Sequence, residues 1–345
     1  MRLKLSQWTL YMCASSRVTL DAVADAAGVS RITVSRAFSN PERLRQDTLD
    51  HVLRTASELG YRPKRAPVST KDAPRTRRIG VVSPDMDNPF FGRIASSINR
   101  LGFEEDIDIV MYDSFESEAQ ESRIIHRLIA QNVDAIILSV ISSDVMYQTR
   151  QPQWLKALET ARIPLILVDR EVNVPHFGGV YIDNLDCGYQ AGRWMIDQSI
   201  RDVLVVSGPS DSLVSIGRTS GIREALGSAA QIDVRYADFT MTPAYHLMKQ
   251  RLQEAPPPQG IIGINNQISL GILKACAEQK LYPGRGITLF SIDEVALADV
   301  FGMHIPCMRL DTDEMAARAL SMALQATRHD VGGGTRMIVR GKLKP

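Results

Sequence analysis

Arg31, Ile32 and Arg36 stand close together in the stretch SRITVSRAF, interleaved with the hydroxyls of Ser30, Thr33 and Ser35. A guanidinium can grip guanine through two parallel hydrogen bonds, and a branched aliphatic side chain can touch a thymine methyl. Short hydroxyls suit phosphates, which position a protein on a duplex without carrying sequence information. A second set has different chemistry. Asn88, Phe90 and Phe91 occur in PDMDNPFFGR, followed by Asp169-Arg170, Arg218, Asn265, Asp293 and Arg309. Amides, carboxylates and guanidiniums bind hydroxyls by hydrogen bonds, and an aromatic ring packs on the apolar C–H face of a sugar.

The first set needs a helix that can enter a groove. In VTLDAVADAAGVSRITVSRAF, Leu20, Val23, Ala24, Ala27, Val29, Val34 and Ala37 fit two short helices packed face to face. Gly28 makes the turn between them, where positive φ carries no steric cost. Thr19 and Ser30 are the expected N-caps. A helix-turn-helix results, with residues 31–38 as the helix that enters the major groove. The alternative is an ordinary pair of surface helices with solvated arginines. A third helix is expected over 46–59, ended by Gly60, with Tyr61 packing back on the unit. Residues 62–78 are rich in proline and basic residues, which reads as a linker.

The second set needs strand ends. From residue 79 onward, apolar strands at 79–83, 108–112, 135–138, 165–168, 180–182, 203–207, 234–237, 260–264 and 288–291 alternate with amphipathic helices at 91–102, 118–131, 187–200, 222–227, 242–254 and 269–279. That alternation means parallel sheets wrapped by helices. It is too many strands for one small sheet and suits two similar lobes. Ligands of such sheets bind beyond the carboxyl ends of the strands, where Asn88, Phe90, Phe91, Asp169, Arg170, Asn265 and Asp293 fall, with Arg218 starting a helix. Singly, each is equally a helix cap or a surface charge.

The 345 residues allow two or three domains, and 44% hydrophobic with 23% charged residues excludes disorder as the main state. Net charge is +1, yet residues 1–78 hold 15 Lys+Arg against 7 Asp+Glu, and the remainder 25 against 32. A basic head on an acidic body suits a nucleic-acid partner at one end. No apolar run reaches the roughly 18 residues of a membrane span. Residues 1–16 lack the layout of a signal peptide and read as a tail or as an upstream start ahead of Met12. Cys13, Cys187, Cys276 and Cys307 lie too far apart for a metal or disulfide framework, which fits reduced thiols in the cytoplasm. With no HExxH, G-x-S-x-G, P-loop or dinucleotide fingerprint, we expect no metal, no cofactor and no enzyme activity. His126 and His246 fall inside expected helices as packing or surface residues.

VTLDAVADAAGVSRITVSRAF, with a third helix ending in ELGYRPKRA, resembles the LacI/GalR family of bacterial transcriptional regulators. The resemblance spans about residues 17 to 345. It implies an all-α helix-turn-helix headpiece and an α/β two-lobe core like the periplasmic binding proteins, with doubly wound parallel sheets. The expected organisation is a tail at 1–16, a DNA-binding domain at 17–62, a hinge at 63–78 and a core at 79–345. Lobe 1 would hold about 79–181 and 311–330, and lobe 2 about 182–310 and 335–345. The DNA-binding set is then Thr19, Ser30, Arg31, Ile32, Thr33, Ser35, Arg36, Tyr61, Lys64 and Arg65. The family's hinge helix wedges a leucine into the minor groove; here Pro67 falls in its interior and Thr70 at the wedge position, which departs from that pattern.

NPFF, VDR, IGR, INN and SID resemble the ribose-binding branch of the superfamily closely enough to carry over Asn88, Phe90, Phe91, Asp169, Arg170, Arg218, Asn265 and Asp293 as effector-binding residues. Arg309 sits where that branch has glutamine or another neutral residue. A third guanidinium in the cleft would favour an acidic sugar such as gluconate or a ketogluconate, with a phosphosugar second. The alternatives are a neutral sugar, with Arg309 paired to Asp311 or Asp313 or facing another subunit. RAFSNPERLR and LGYRPKRAP also look like gluconate-type regulators. The resemblance implies a cytoplasmic homodimer, most simply a repressor, on a pseudo-palindromic operator, controlled by lobe closure around the sugar. A solute-binding protein without regulatory role would lack residues 18 to 61.

Overall fold

The computed structural model describes residues 18–39, 43–59, 61, 76–141, 152–172, 177–328 and 334–345. The expected tail, and Lys64, Arg65, Pro67 and Thr70 of the linker, lie outside the described residues. The chain forms two compact units that divide between Arg75 and Thr76.

The first unit contains helices Leu20–Ala27, Arg31–Ser39 and Gln46–Glu58. Thr19 caps the first helix, accepting from the Ala22 N–H at 3.2 Å. Gly28 ends it at φ 61°, donating back to the carbonyls of Ala24 and Asp25. Ser30 starts the second helix by accepting from the Thr33 N–H at 3.1 Å. Val23, Val34 and Val52, one from each helix, are fully buried and form the core with Ala24, Ala27, Ala37 and Ala56. His51 of the third helix lies 3.2 Å from the Ala27 carbonyl, tying the turn to that helix.

In the second unit the described strands are β1 (Arg77–Ser83), β2 (Ile107–Asp113), β3 (Ala135–Leu138), β4 (Leu165–Asp169), β5 (Gly178–Ile182), β6 (Asp202–Ser207), β7 (Gln231–Tyr236), β8 (Gly260–Gly263), β9 (Tyr282–Pro283), β10 (Gly286–Ile292), β11 (Cys307–Arg309), β12 (Arg336–Val339) and β13 (Lys342–Lys344). They make two sheets. One has the order β12-β5-β4-β3-β1-β2, the other β13-β11-β10-β8-β6-β7 with β9 paired to β10. Every described pairing between these strands is parallel except β11 with β13.

Both faces of the first sheet are covered, which is why its central strands are apolar throughout. Val81, Ile137, Ile166 and Val180 belong to the larger core cluster, and Val82, Ile136, Leu138 and Leu167 to the smaller. Helices Pro89–Glu104 and Thr312–Arg328 pack on each other, the latter also on β3, β4 and β5. In the second lobe, helices Asn184–Asp197 and Leu213–Leu226 pack at backbone contact. A methyl on Gly188 would meet the Arg218 carbonyl at 2.0 Å, and one on Gly221 the Leu185 carbonyl at 2.0 Å.

Three expectations need correction. Residues 335–345 do not all return to the second lobe: β12 pairs with β5 in the first sheet, and only β13 joins the second. Edge strands of three or four residues carry too little pattern to be assigned from sequence. Arg218 does not start a helix; it lies inside Leu213–Leu226, whose first turns hold Ser215 and Gly217 and show little amphipathic pattern. Helix Leu155–Ala161 and the short strands β9, β11, β12 and β13 were not expected at all.

Candidate functional site

On the second helix of the first unit, Arg31, Ile32, Ser35 and Arg36 are all exposed, Ile32 at 62%, while Val34 and Ala37 are buried. At 100° per residue the exposed four fall on one face and the buried pair opposite. Ser30 and Thr33 are bonded to each other, hydroxyl to hydroxyl, at 2.9 Å. Thr19 is exposed while it caps. Tyr61 is half-buried against Phe38, ring centroids 5.6 Å apart, and its N–H donates to Ala56. It closes the headpiece core as expected.

In the second unit, the strand ends of the two lobes meet at a cleft. Asn88, Phe90, Phe91, Asp169, Arg170, Arg218, Asn265 and Asp293 all line it. Two of the amides are engaged in helix caps. Asn88 Oδ1 accepts from the Phe90 N–H at 3.1 Å and from Asn266 Nδ2 at 3.1 Å, a bond that joins the lobes. Asn265 Oδ1 caps helix Asn266–Glu278 at the Ile268 N–H, 2.7 Å, while its Nδ2 donates to the Phe239 carbonyl at 2.9 Å.

Arg170 is a built-in part of the cleft wall. Its Nη1 and Nη2 donate to the two Glu116 carboxylate oxygens at 3.0 and 2.8 Å, and Nη1 also reaches the Val140 and Ile141 carbonyls. The guanidinium carbon lies 5.4 Å from the Phe91 ring centre and 5.7 Å from that of Phe239, one ring from each lobe. Glu116 is placed by an unusual turn: Phe115 and Glu116 have φ of 51° and 50°, held by Asp113 Oδ1 accepting from the Phe115 N–H. Arg218 donates through Nε to Asn184 and through Nη1 to the Ile264 carbonyl.

Asp169 and Asp293 form a matched pair, one at the end of a strand in each lobe. Both are buried non-glycine residues at positive φ, 66° and 77°, a strained backbone of the kind held at functional sites. Burial pushes the Asp169 carboxyl up from its ordinary value, against the pull of Arg218 and Arg170. Its side chain accepts no hydrogen bond among the described residues. Burial likewise pushes Asp293 up to about 6, against the Glu294 N–H and the charges of Arg218 and Arg93.

A pH dependence follows. Since the native value of Asp293 lies above its ordinary 3.8, the native state binds more protons in the window from about 6 down to 3.8. This group therefore costs stability above about pH 6, and the cost is relieved as pH falls through that window. The melting temperature of wild type relative to Asp293→Asn should accordingly rise on acidification from pH 7 to 4.5. A ligand held by the ionised carboxylate should bind more weakly below pH 6, with Asp293→Asn losing that dependence.

Arg309 is the correction. It is exposed and outside the cleft lining, bordering a separate surface groove with Arg93, Ser97, Glu294 and Asp311. Its neighbour Leu310, 6% exposed, lines the cleft instead. Successive residues of an extended segment point to opposite sides, so a one-residue offset exchanges the arginine for a leucine. Sequence reasoning also missed Asp85, Glu116, Val214, Phe239, Thr240, Asn266 and Gln267. Asn266 was within reach, as the second amide of INN. The lining then carries four carboxylates (Asp85, Glu116, Asp169, Asp293) against two guanidiniums.

A helix-turn-helix unit followed by a two-lobe core with a polar cleft defines a regulator built on a binding-protein fold. A family model described as "Periplasmic binding protein domain" matches residues 79–301, and one described as "Bacterial regulatory proteins, lacI family" matches residues 19–64. The chain belongs to the LacI family, with a LacI-type helix-turn-helix joined to a periplasmic-binding-protein domain. It is 26% identical to the HTH-type transcriptional repressor CytR of Escherichia coli (strain K12) over 340 residues, 94% of this chain and 96% of that one. Its fold is similar to that of the transcriptional regulator CelR in complex with cellobiose, with a TM-score of 0.68, 22% identity, and 95% and 99% of the two chains covered. It is equally similar, TM-score 0.68 and 20% identity over 96% and 98%, to the Lac repressor dimer bound to operator and the anti-inducer ONPF. No helix among the described residues is long and apolar enough to cross a membrane.

Proposed function

We propose that this protein is a transcriptional repressor of carbohydrate-utilisation genes that binds operator DNA as a homodimer and is controlled by a neutral, hydroxyl-rich effector in the cleft. The observation that carries the effector class is the charge balance of the lining. Arg170 is already neutralised by a bidentate Glu116, and Asp169 and Asp293 are left to accept hydroxyl protons, which suits a sugar and repels a sugar acid. Phe90, Phe91 and Phe239 supply flat apolar surfaces for its C–H face. The cellobiose complex of CelR supports a sugar, and the operator-bound dimer of the Lac repressor supports the assembly. Exposed Leu297, Val300 and Phe301 of the second lobe offer an apolar surface for the second copy. Acting on chromosomal DNA, the protein works in the cytoplasm, without catalysis.

Thermal-shift screening against neutral sugars, sugar acids and sugar phosphates tests the effector, because a ligand of the native state raises apparent stability by mass action. A shift with neutral sugars is expected; a shift with sugar acids alone would overturn the charge argument and leave the regulator intact. For the DNA side, selection from random duplexes should yield a two-fold-related site. Arg36→Ala should then weaken binding to it by about 1–3 kcal/mol and relax preference at one base position per half-site. Unchanged preference would remove Arg36 from base reading.

A further inference from the structure

On the exposed face of the headpiece, Arg31 and Arg36 are not equivalent. Arg31 Nε lies 3.3 Å from Asp21 Oδ1, an ion pair between the first turns of two helices. Among the described residues Arg36 has no such partner. Asp21 is a short side chain in the first turn of a helix capped by Thr19, so its carboxylate is held to a rigid backbone. Its charge is also favourable at a helix N-terminus. Arg31 has the opposite situation. It is the first residue of its helix, where the dipole disfavours a cation, and no acidic residue occupies that first turn. Asp21 supplies the missing anion from the neighbouring helix.

The atom used matters. With the Asp21 carboxylate nearest Nε, at 3.3 Å between two exposed side chains, the two terminal amino groups, Nη1 and Nη2, are left as a parallel pair. That pair is the fork that grips guanine O6 and N7. A free arginine samples many rotamers, and a fixed negative charge beside Nε biases it toward those that carry Nη1 and Nη2 away from Asp21. We propose that Asp21 is a specificity-determining residue for DNA: it touches no base but orients Arg31 for a guanine, setting preference at that base pair. This rests on the DNA-reading role of the headpiece.

As a carboxylate near DNA, Asp21 also opposes binding to every sequence, so its removal has two separable effects. The test uses the full-length protein and the site selected from random duplexes. Affinities are measured for that site and for each single base-pair substitution, with wild type, Asp21→Asn, Asp21→Ala, Arg31→Ala and the double variant Asp21→Ala/Arg31→Ala. The expected result is a loss of about tenfold in discrimination at the one position that Arg31→Ala identifies, in both Asp21 variants. Other positions keep their preference, and affinity for unrelated DNA rises. With Arg31→Ala already present, Asp21→Ala changes no preference. Uniform tightening on all sequences, with every preference intact, would reduce Asp21 to a surface charge and overturn the proposal. Failure of the wild type to select any sequence would instead remove the DNA-reading role beneath it. Asp21→Asn preserves the shape of the side chain, and an unchanged melting curve separates lost orientation from lost folding.

Discussion

Asp169→Ala should reduce effector affinity on the order of 100-fold or more while leaving the headpiece's DNA binding intact. The Asp169 carboxylate is buried, sits at the mouth of a strand in a strained left-handed backbone, and accepts no hydrogen bond among the described residues. A charge-assisted hydrogen bond contributes about 1.5–3 kcal/mol, and one carboxylate can accept two from neighbouring hydroxyls. Titration calorimetry with the sugar found by thermal shift reads the loss directly. The unliganded protein should move the other way. Burial holds the native carboxyl above its ordinary value, so the ionised side chain costs stability at neutral pH. Asp169→Asn should therefore raise the melting temperature of the free protein while weakening binding. Lower stability in the unliganded Asn variant would mean that the carboxylate serves the fold, through Arg218 and Arg170, more than the ligand.

Gly221→Ala should be, with Gly188→Ala, among the most damaging single methyls in the core. Its added carbon would lie 2.0 Å from the Leu185 carbonyl oxygen and 2.6 Å from the Tyr189 nitrogen, both backbone atoms that cannot rotate away. The two helices must separate, and overpacking of this kind costs about 1–3 kcal/mol, occasionally more. Arg218 lies one turn back on the same helix, so effector affinity should fall together with stability. Urea unfolding and calorimetry on one preparation check both. Gly217→Ala, whose methyl would stand 3.1 Å from the Asn184 Cβ, should be milder. Equal losses for the two would show that general helix strain, not backbone contact at Gly221, governs the pair.

The headpiece was readable because its signals are local. A glycine turn, two capping hydroxyls and a three-residue apolar period lie within the stretch from Val18 to Phe38. The cleft was readable where a residue ends a strand or comes within two positions after it, as with Asp169, Asn265 and Asp293. Glu116 escaped because its place depends on Arg170, 54 residues away, and on two positive φ angles with no glycine to announce them. Arg309 was placed one residue out of register, at a strand so short that its alternation could not be fixed from the sequence. The same brevity hid β12, whose lobe is decided by the strand it pairs with and not by its own residues.

The described chain passes between the lobes at three places: after β5, after β11, and between β12 and β13. Two bodies joined by one tether can tumble freely, and joined by two they can still twist. Three adjacent ties leave little beyond opening and closing about one line. The Asn88–Asn266 bond and the Arg93–Glu294 ion pair stand across that opening. Whatever enters the cleft does not have to choose among many lobe arrangements. It only has to shift the balance along a single track, and any change at the far ends of the lobes is geared to it.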